Sequence, residues 1–93
     1  NIKLPPELNK HFESIIEETY DIYTKSLESF LKRDVKTANS VLEMRRQLIT
    51  EQEVLERIIK KPDVRFQYSM ILEAMIEIAG YSAEIAEVTI NQG

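Results

Sequence analysis

Glu73, Glu77, Glu84 and Glu87 follow one another at spacings of four, seven and three residues. On a helix such spacing lines carboxylates along one ridge, and carboxylates at helical spacing can supply half of a dinuclear metal site. The other half must come from facing helices. The second helical segment offers Arg45 and Arg46 near the corresponding level, and a guanidinium repels a cation. We therefore read the four glutamates as a solvated acidic face flanking Gly80 and expect no metal ligands. His11 is the only histidine. A lone histidine can accept a phosphoryl group or act as a general base, but its neighbours are Lys10 and Phe12 and no glycine-rich box follows it. A structural role on an exposed helix side is expected.

Arg45 falls between Val41 and Leu48 on the inward stripe of its helix. An arginine near a core must pair or carry its charge out to water along its own stem. An anion contact is the functional alternative; an ion pair with an acidic residue across the bundle, such as one on the third helix, is the reading adopted. Gly80 costs about 1 kcal/mol in a helix interior and permits the close approach of another helix, as at a crossing between bundles. Cysteine is absent, which removes disulfides, zinc–thiolate sites and thiol catalysis together. Without a nucleophile–base pair, a metal set or a cofactor box, we expect no catalytic residues, no cofactor and no enzyme.

Three long helical segments must position these residues. The chain has 93 residues, 43% hydrophobic and 30% charged, with two glycines and three prolines. That is one domain at most, too apolar for disorder and too poor in turn residues for a β-sandwich. Pro5-Pro6 opens a first helix over about 6–33, with Leu8, Phe12, Ile15, Ile16, Ile22, Tyr23, Leu27, Phe30 and Leu31 at gaps of threes and fours and adjacent pairs. Asp34 N-caps a second helix, about 35–61, carrying Ala38, Val41, Leu42, Leu48, Ile49, Leu55, Ile58 and Ile59 and ending in Lys60-Lys61 before Pro62. Asp63 N-caps a third, about 63–91. Matched lengths and short connections predict an all-α, up-down-up antiparallel three-helix bundle.

The third helix is apolar over more than one side. Val64, Tyr68, Ile71, Met75, Ile78, Ile85 and Ala86 form a broad face, edged by Leu72, Ala79 and Ile90, that suffices for a three-helix core. Phe66, Met70, Ala74, Tyr81 and Val88 are left over on another arc. A helix apolar round this much of its circumference is buried on more than one side, so these five residues are expected to form an interface with a second copy or another domain.

Net charge is −4, split as −1 over 1–33, +1 over 34–62 and −4 over 63–93. No basic block exceeds two residues, which argues against direct contact with nucleic acid. Neither a spanning apolar run nor a signal peptide is visible, and a cysteine-free chain fits a reducing, cytoplasmic compartment. Because the chain opens on Asn1 rather than Met, we expect it to be a piece of something longer.

The stretch Ile78-Ala79-Gly80-Tyr81-Ser82-Ala83-Glu84-Ile85-Ala86-Glu87 resembles the closing helix of a PhoU-type repeat, with Ile85-Ala86-Glu87 matching its isoleucine-alanine-glutamate ending and Ile78 an earlier isoleucine. Asp34 to Leu48, with Ala38, Val41 and Leu42, resembles the family's second helix. The resemblance covers nearly the whole chain as one three-helix repeat. It implies a non-enzymatic regulator of phosphate uptake and signalling that acts by protein contact: a homodimer that completes a six-helix arrangement, with a transporter or signalling protein as further partner. In relatives joined to a DNA-binding domain, the DNA-reading part would lie outside these residues. PhoU repeats place a glutamate and an aspartate four apart on the third helix for metal clusters. Ile76 and Gly80 stand there in this chain, and Arg45 and Arg46 stand near the acidic positions of the second helix. The resemblance is therefore carried to fold and role, and not to the metal site.

Two other readings remain open. An all-helical chorismate-mutase-like enzyme has this length but needs basic residues in its first helix, where only Lys10 and Lys25 precede Lys32 and Arg33. A generic helical dimerisation domain of a transcriptional regulator would share the periodicity without any link to phosphate.

Overall fold

Each helix of this protein begins and ends for a local reason. The computed structural model describes residues 6–60 and 62–92. It contains α1 (Pro6–Lys32), α2 (Val35–Ile58) and α3 (Pro62–Gln92), and all three pairs are in contact. At ~1.5 Å per residue the longest helix spans about 46 Å, and the molecule measures 46 × 20 × 18 Å. The expected up-down-up three-helix bundle is what forms. Because α2 runs back, α1 and α3 are parallel, with Phe12 level with Tyr68 (ring centroids 4.8 Å apart, edge to face) and Ser29 level with Thr89.

α1 stops where Arg33 takes a left-handed conformation (φ 52°). Its N–H donates to the Phe30 carbonyl at 3.4 Å, and the Asp34 N–H donates to the Ser29 carbonyl at 2.9 Å. This paired pattern caps a helix C-terminus, usually with glycine at the left-handed position. Asp34 then caps α2, accepting from the Thr37 N–H at 3.1 Å and from the Thr37 hydroxyl at 2.7 Å. Those bonds, the hydroxyl's first, hold its carboxyl below the usual aspartate range.

Two boundaries differ from expectation. α2 ends at Ile58, with Ile59 extended (φ −78°, ψ 106°), so Lys60 lies beyond the helix; Lys61 and Pro5 fall outside the described residues. Asp63 sits inside the first turn of α3 rather than capping it, because Pro62 is itself the opening residue, as proline's fixed φ and missing N–H favour.

The core is a set of three heptad stripes, each with gaps alternating three and four. α1 turns Leu8, Phe12, Ile15, Thr19, Ile22, Ser26 and Ser29 inward, α2 turns Ala38, Val41, Arg45, Leu48, Gln52, Leu55 and Ile59, and α3 turns Tyr68, Leu72, Met75, Ala79, Ser82, Ala86 and Thr89. The core is large-chained at the Phe12–Tyr68 end. At the end holding the α1–α2 turn it is small and hydroxylated. The buried hydroxyls bond to their own helix carbonyls: Thr19 to Ile15 and Ser26 to Tyr23 at 2.7 Å, and Ser82 to Ile78 at 2.8 Å. Ser29 and Thr89 approach each other at 3.3 Å across the helices. A hydroxyl satisfied in this way can be buried without the penalty of an unpaired polar group.

That choice corrects the expected core. Ile16, Tyr23, Phe30 and Leu31 of α1, Ile58 of α2, and Ile71 and Ile78 of α3 are exposed. Serine, threonine and alanine take the inward positions beside them.

Within the chain, the neighbour that Gly80 meets from another helix is a side chain. A Cβ built on it would lie 3.7 Å from Arg45 Nη2, ordinary contact within one chain, and its φ is not positive. Gly80→Ala should therefore stabilise the fold by about 0.5–1 kcal/mol. Urea unfolding checks this, and a loss of stability would show the arginine to be pinned against that surface.

Candidate functional site: an outer apolar face on α1 and α3

α1 and α3 each carry a second heptad stripe, interleaved with the first. On α1 it is Ile16, Tyr20, Tyr23, Leu27 and Phe30; on α3 it is Ile71, Ala74, Ile78, Tyr81, Ile85 and Val88. These residues are exposed or half-buried, with Tyr20 at 66% and Tyr81 at 63%, while Ser26 and Ser29 of the inner stripe are at 0%. At the α1–α2-turn end of the bundle the larger apolar side chains thus lie outside and the smaller, hydroxylated ones inside. Two heptads on one helix are the pattern of a helix that contacts partners on two sides.

Both outer stripes belong to one face. The other flank of α1 looks toward α2: Glu18 interacts with Glu51 there, and His11 and Ile15 line a small cavity of about 140 Å³ with Thr50, Val54 and Ile58. The other flank of α3 also looks toward α2, where Arg45 lies over Gly80. What remains of each helix opens on the same side, across the α1–α3 seam. Among the described residues, every exposed large hydrophobic except Val54 and Ile58 is on α1 or α3. At ~100° per residue, no charged residue falls on the α1 stripe after Glu13 or on the α3 stripe between Val64 and its end.

All five residues expected at an interface are exposed: Phe66, Met70, Ala74, Tyr81 and Val88. Ala74, Tyr81 and Val88 lie in the α3 stripe, and Phe66 and Met70 flank its first half. Sequence reasoning missed Ile71, Ile78 and Ile85, which it had assigned inward, and the whole α1 stripe. The missed signal was the seven-residue spacing of 71, 78 and 85 and of 16, 23 and 30.

The flank between α2 and α3 holds an open cleft of about 480 Å³ lined by Arg45, Glu77, Gly80, Glu84 and Glu87 among others. Among the described residues no carboxylate lies within 4.0 Å of Arg45; the ion pairs formed are Lys32–Glu28, Arg46–Glu43 and Arg57–Glu53, each within one helix. The expected cross-bundle pair is therefore not made. Arg45 is half-buried, its Nε has no hydrogen-bond partner, and its guanidinium extends along the α3 surface toward water. Glu73, Glu77, Glu84 and Glu87 are all exposed. An anion entering this cleft meets carboxylates and a metal ion meets the guanidinium, so the arrangement suits neither. Among the described residues no three His, Asp or Glu side chains converge on a metal position, and no helix is long and apolar enough to cross a membrane.

Glu18 and Glu51 face each other between α1 and α2. Burial, a carboxyl–carboxyl hydrogen bond with Glu51 and repulsion from it raise the pKa of Glu18, opposed by a hydrogen bond donated from the Ser14 hydroxyl at 3.3 Å. A carboxyl whose folded pKa is raised binds more protons in the folded state, so its contribution to stability is lost as pH rises through that pKa. Glu18→Gln should accordingly melt higher than the parent at neutral pH. The difference should close on acidification below the ordinary glutamate pKa of about 4.3. A difference unchanged by pH would contradict the pairing.

Comparison with protein-family models, curated proteins and solved structures finds no match to this chain.

Proposed function

We propose that this chain is a non-catalytic regulatory module of the PhoU type that works through helix-face contact with protein partners. The observation that carries the reading is the uncharged outer stripe on α1 and α3, where large apolar side chains stand exposed while serines and threonines take part of the core beneath. The phosphate link comes from the resemblance of Ile78–Glu87 and Asp34–Leu48 alone. With it come a cytoplasmic site of action and a transporter or signalling protein of phosphate uptake as partner. Deletion of the gene, scored by phosphate-dependent expression, should release that expression from control; a normal response refutes the phosphate role.

The same face favours a second reading, a helical dimerisation domain unrelated to phosphate, which predicts assembly with a normal phosphate response. A chorismate-mutase-like enzyme is disfavoured. Dicarboxylate binding needs several converging cations, whereas Lys10 and Lys25 are exposed and the other charged residues lining the cleft of Arg45 are glutamates.

A further inference from the structure

We propose that the α1–α3 face receives a single amphipathic helix of another protein, one with an apolar stripe and lysines or arginines along its flanks. This rests on the interaction-module reading and gives that module the chemistry of its partner.

That the occupant is a helix follows from the spacing. Ile16, Tyr23 and Phe30 on α1 and Ile71, Ile78 and Ile85 on α3 each recur every seven residues. Along two parallel helices, such side chains frame the holes that take the knobs of a third helix laid in the seam between them. A strand repeats every two residues and finds no such register. The α1 stripe runs from Ile16 to Phe30 and the α3 stripe from Ile71 to Val88. At ~1.5 Å per residue these are about 21 and 26 Å long, so a partner helix of about 14–18 residues covers both.

The partner's charge follows from the edges of the face. At ~100° per residue, Glu13 and Glu17 lie along the outer edge of the α1 stripe, toward the Phe12–Tyr68 end. Glu77 and Glu84 lie along the outer edge of the α3 stripe, beside Tyr81 and Val88. All of these carboxylates are exposed, and among the described residues none of them is in an ion pair. Lys10 is the described cation nearest either edge; Lys25, Lys32 and Arg65 lie on other sides of their helices. A helix with cations flanking an apolar stripe therefore covers the exposed side chains and neutralises both edges at once.

The same edges weigh against other occupants. A second copy brings its own glutamates to the face, on a chain already at net charge −4. An anionic lipid surface is repelled likewise.

The chain has no tryptophan, so one tryptophan in the apolar stripe of a synthetic helical peptide reports binding by its fluorescence. Two peptides of about 18 residues share a leucine stripe with that tryptophan and differ only in their flanks, lysine in one and glutamate in the other. The lysine peptide should bind the full chain one to one with a blue-shifted emission, and the glutamate peptide at least about tenfold more weakly. Glu77→Gln combined with Glu84→Gln should weaken the lysine peptide about three- to tenfold at low salt, and by less at about 0.5 M salt. Glu43→Gln combined with Glu53→Gln removes two exposed carboxylates from α2 and should leave binding unchanged. Circular dichroism of each variant verifies the fold. Equal binding of the two peptides, or equal weakening by the α2 pair, would overturn the basic helix, because charge would then act without regard to this face. Failure of the lysine peptide to bind would overturn it as well, and Ile78→Glu then separates the two claims. If that variant abolishes the phosphate response, the face serves another occupant and the module reading stands; if the response is normal, both fall.

Discussion

Truncation of Leu48 to alanine will destabilise the protein by about 2–5 kcal/mol. Leu48 is fully buried at the middle of the inward stripe of α2. The inward residues next to it on that stripe are Arg45 and Gln52, both polar and half-buried. Neither can swing into the space a missing isobutyl group leaves without carrying polar atoms into the core. The cavity therefore stays largely open, and the upper part of the range is expected. Against a total stability of about 5–15 kcal/mol for a domain of this kind, such a loss is large. Urea unfolding at one fixed protein concentration measures it, with an unchanged slope showing that the cooperative unit is intact. A loss below about 1 kcal/mol would mean that the core closes over the gap.

Ile78→Glu will do the reverse, leaving the single chain nearly as stable and dissolving the assembly. Ile78 is 39% exposed, so a glutamate there reaches water in the isolated chain and costs it about 1 kcal/mol for the apolar surface that isoleucine had buried. In an assembly formed through this face the same carboxylate would be buried without a partner. A buried unpaired charge costs about 3–5 kcal/mol, so the dissociation constant of that assembly should rise by at least about a hundredfold. Sedimentation equilibrium reads this directly. Gln47→Glu, at an exposed position on α2, is the matched control and should leave association unchanged. An equally tight assembly of Ile78→Glu would remove α3 from the interface.

The fold was legible in the sequence because helix boundaries and periodicity are local. Asp34 has a hydroxyl and an N–H to bind three residues on, and Pro62 can only start a helix or break one. Choosing which apolar stripe faces inward was harder, since that is a comparison between stripes. Counting Ile71 and Ile78 as core followed the rule that larger apolar residues are buried. The rule fails here because Thr19, Ser26, Ser29, Ser82 and Thr89 satisfy or share their hydroxyl hydrogen bonds within the bundle, which makes them acceptable core residues at close helix approach. Once they hold the inside, the isoleucines and tyrosines beside them must face out. The exposure of Tyr81 and Val88 was visible early because they lie farthest round α3 from the core. The α1 stripe stayed hidden because its members adjoin core residues in sequence, Ile16 beside Ile15 and Tyr23 beside Ile22. Arg45 was placed correctly near the inward stripe, but its partner could not be deduced from one helix. Gly80 leaves room for its side chain to run outward across α3.

The most direct test of the account is the solution mass of the chain by light scattering after size exclusion, alone and with the lysine-flanked helical peptide. Docking on the outer stripes predicts the 10.9 kDa of one chain plus the mass of one peptide. A well-folded chain whose mass the peptide leaves unchanged would contradict helix docking on the α1–α3 face.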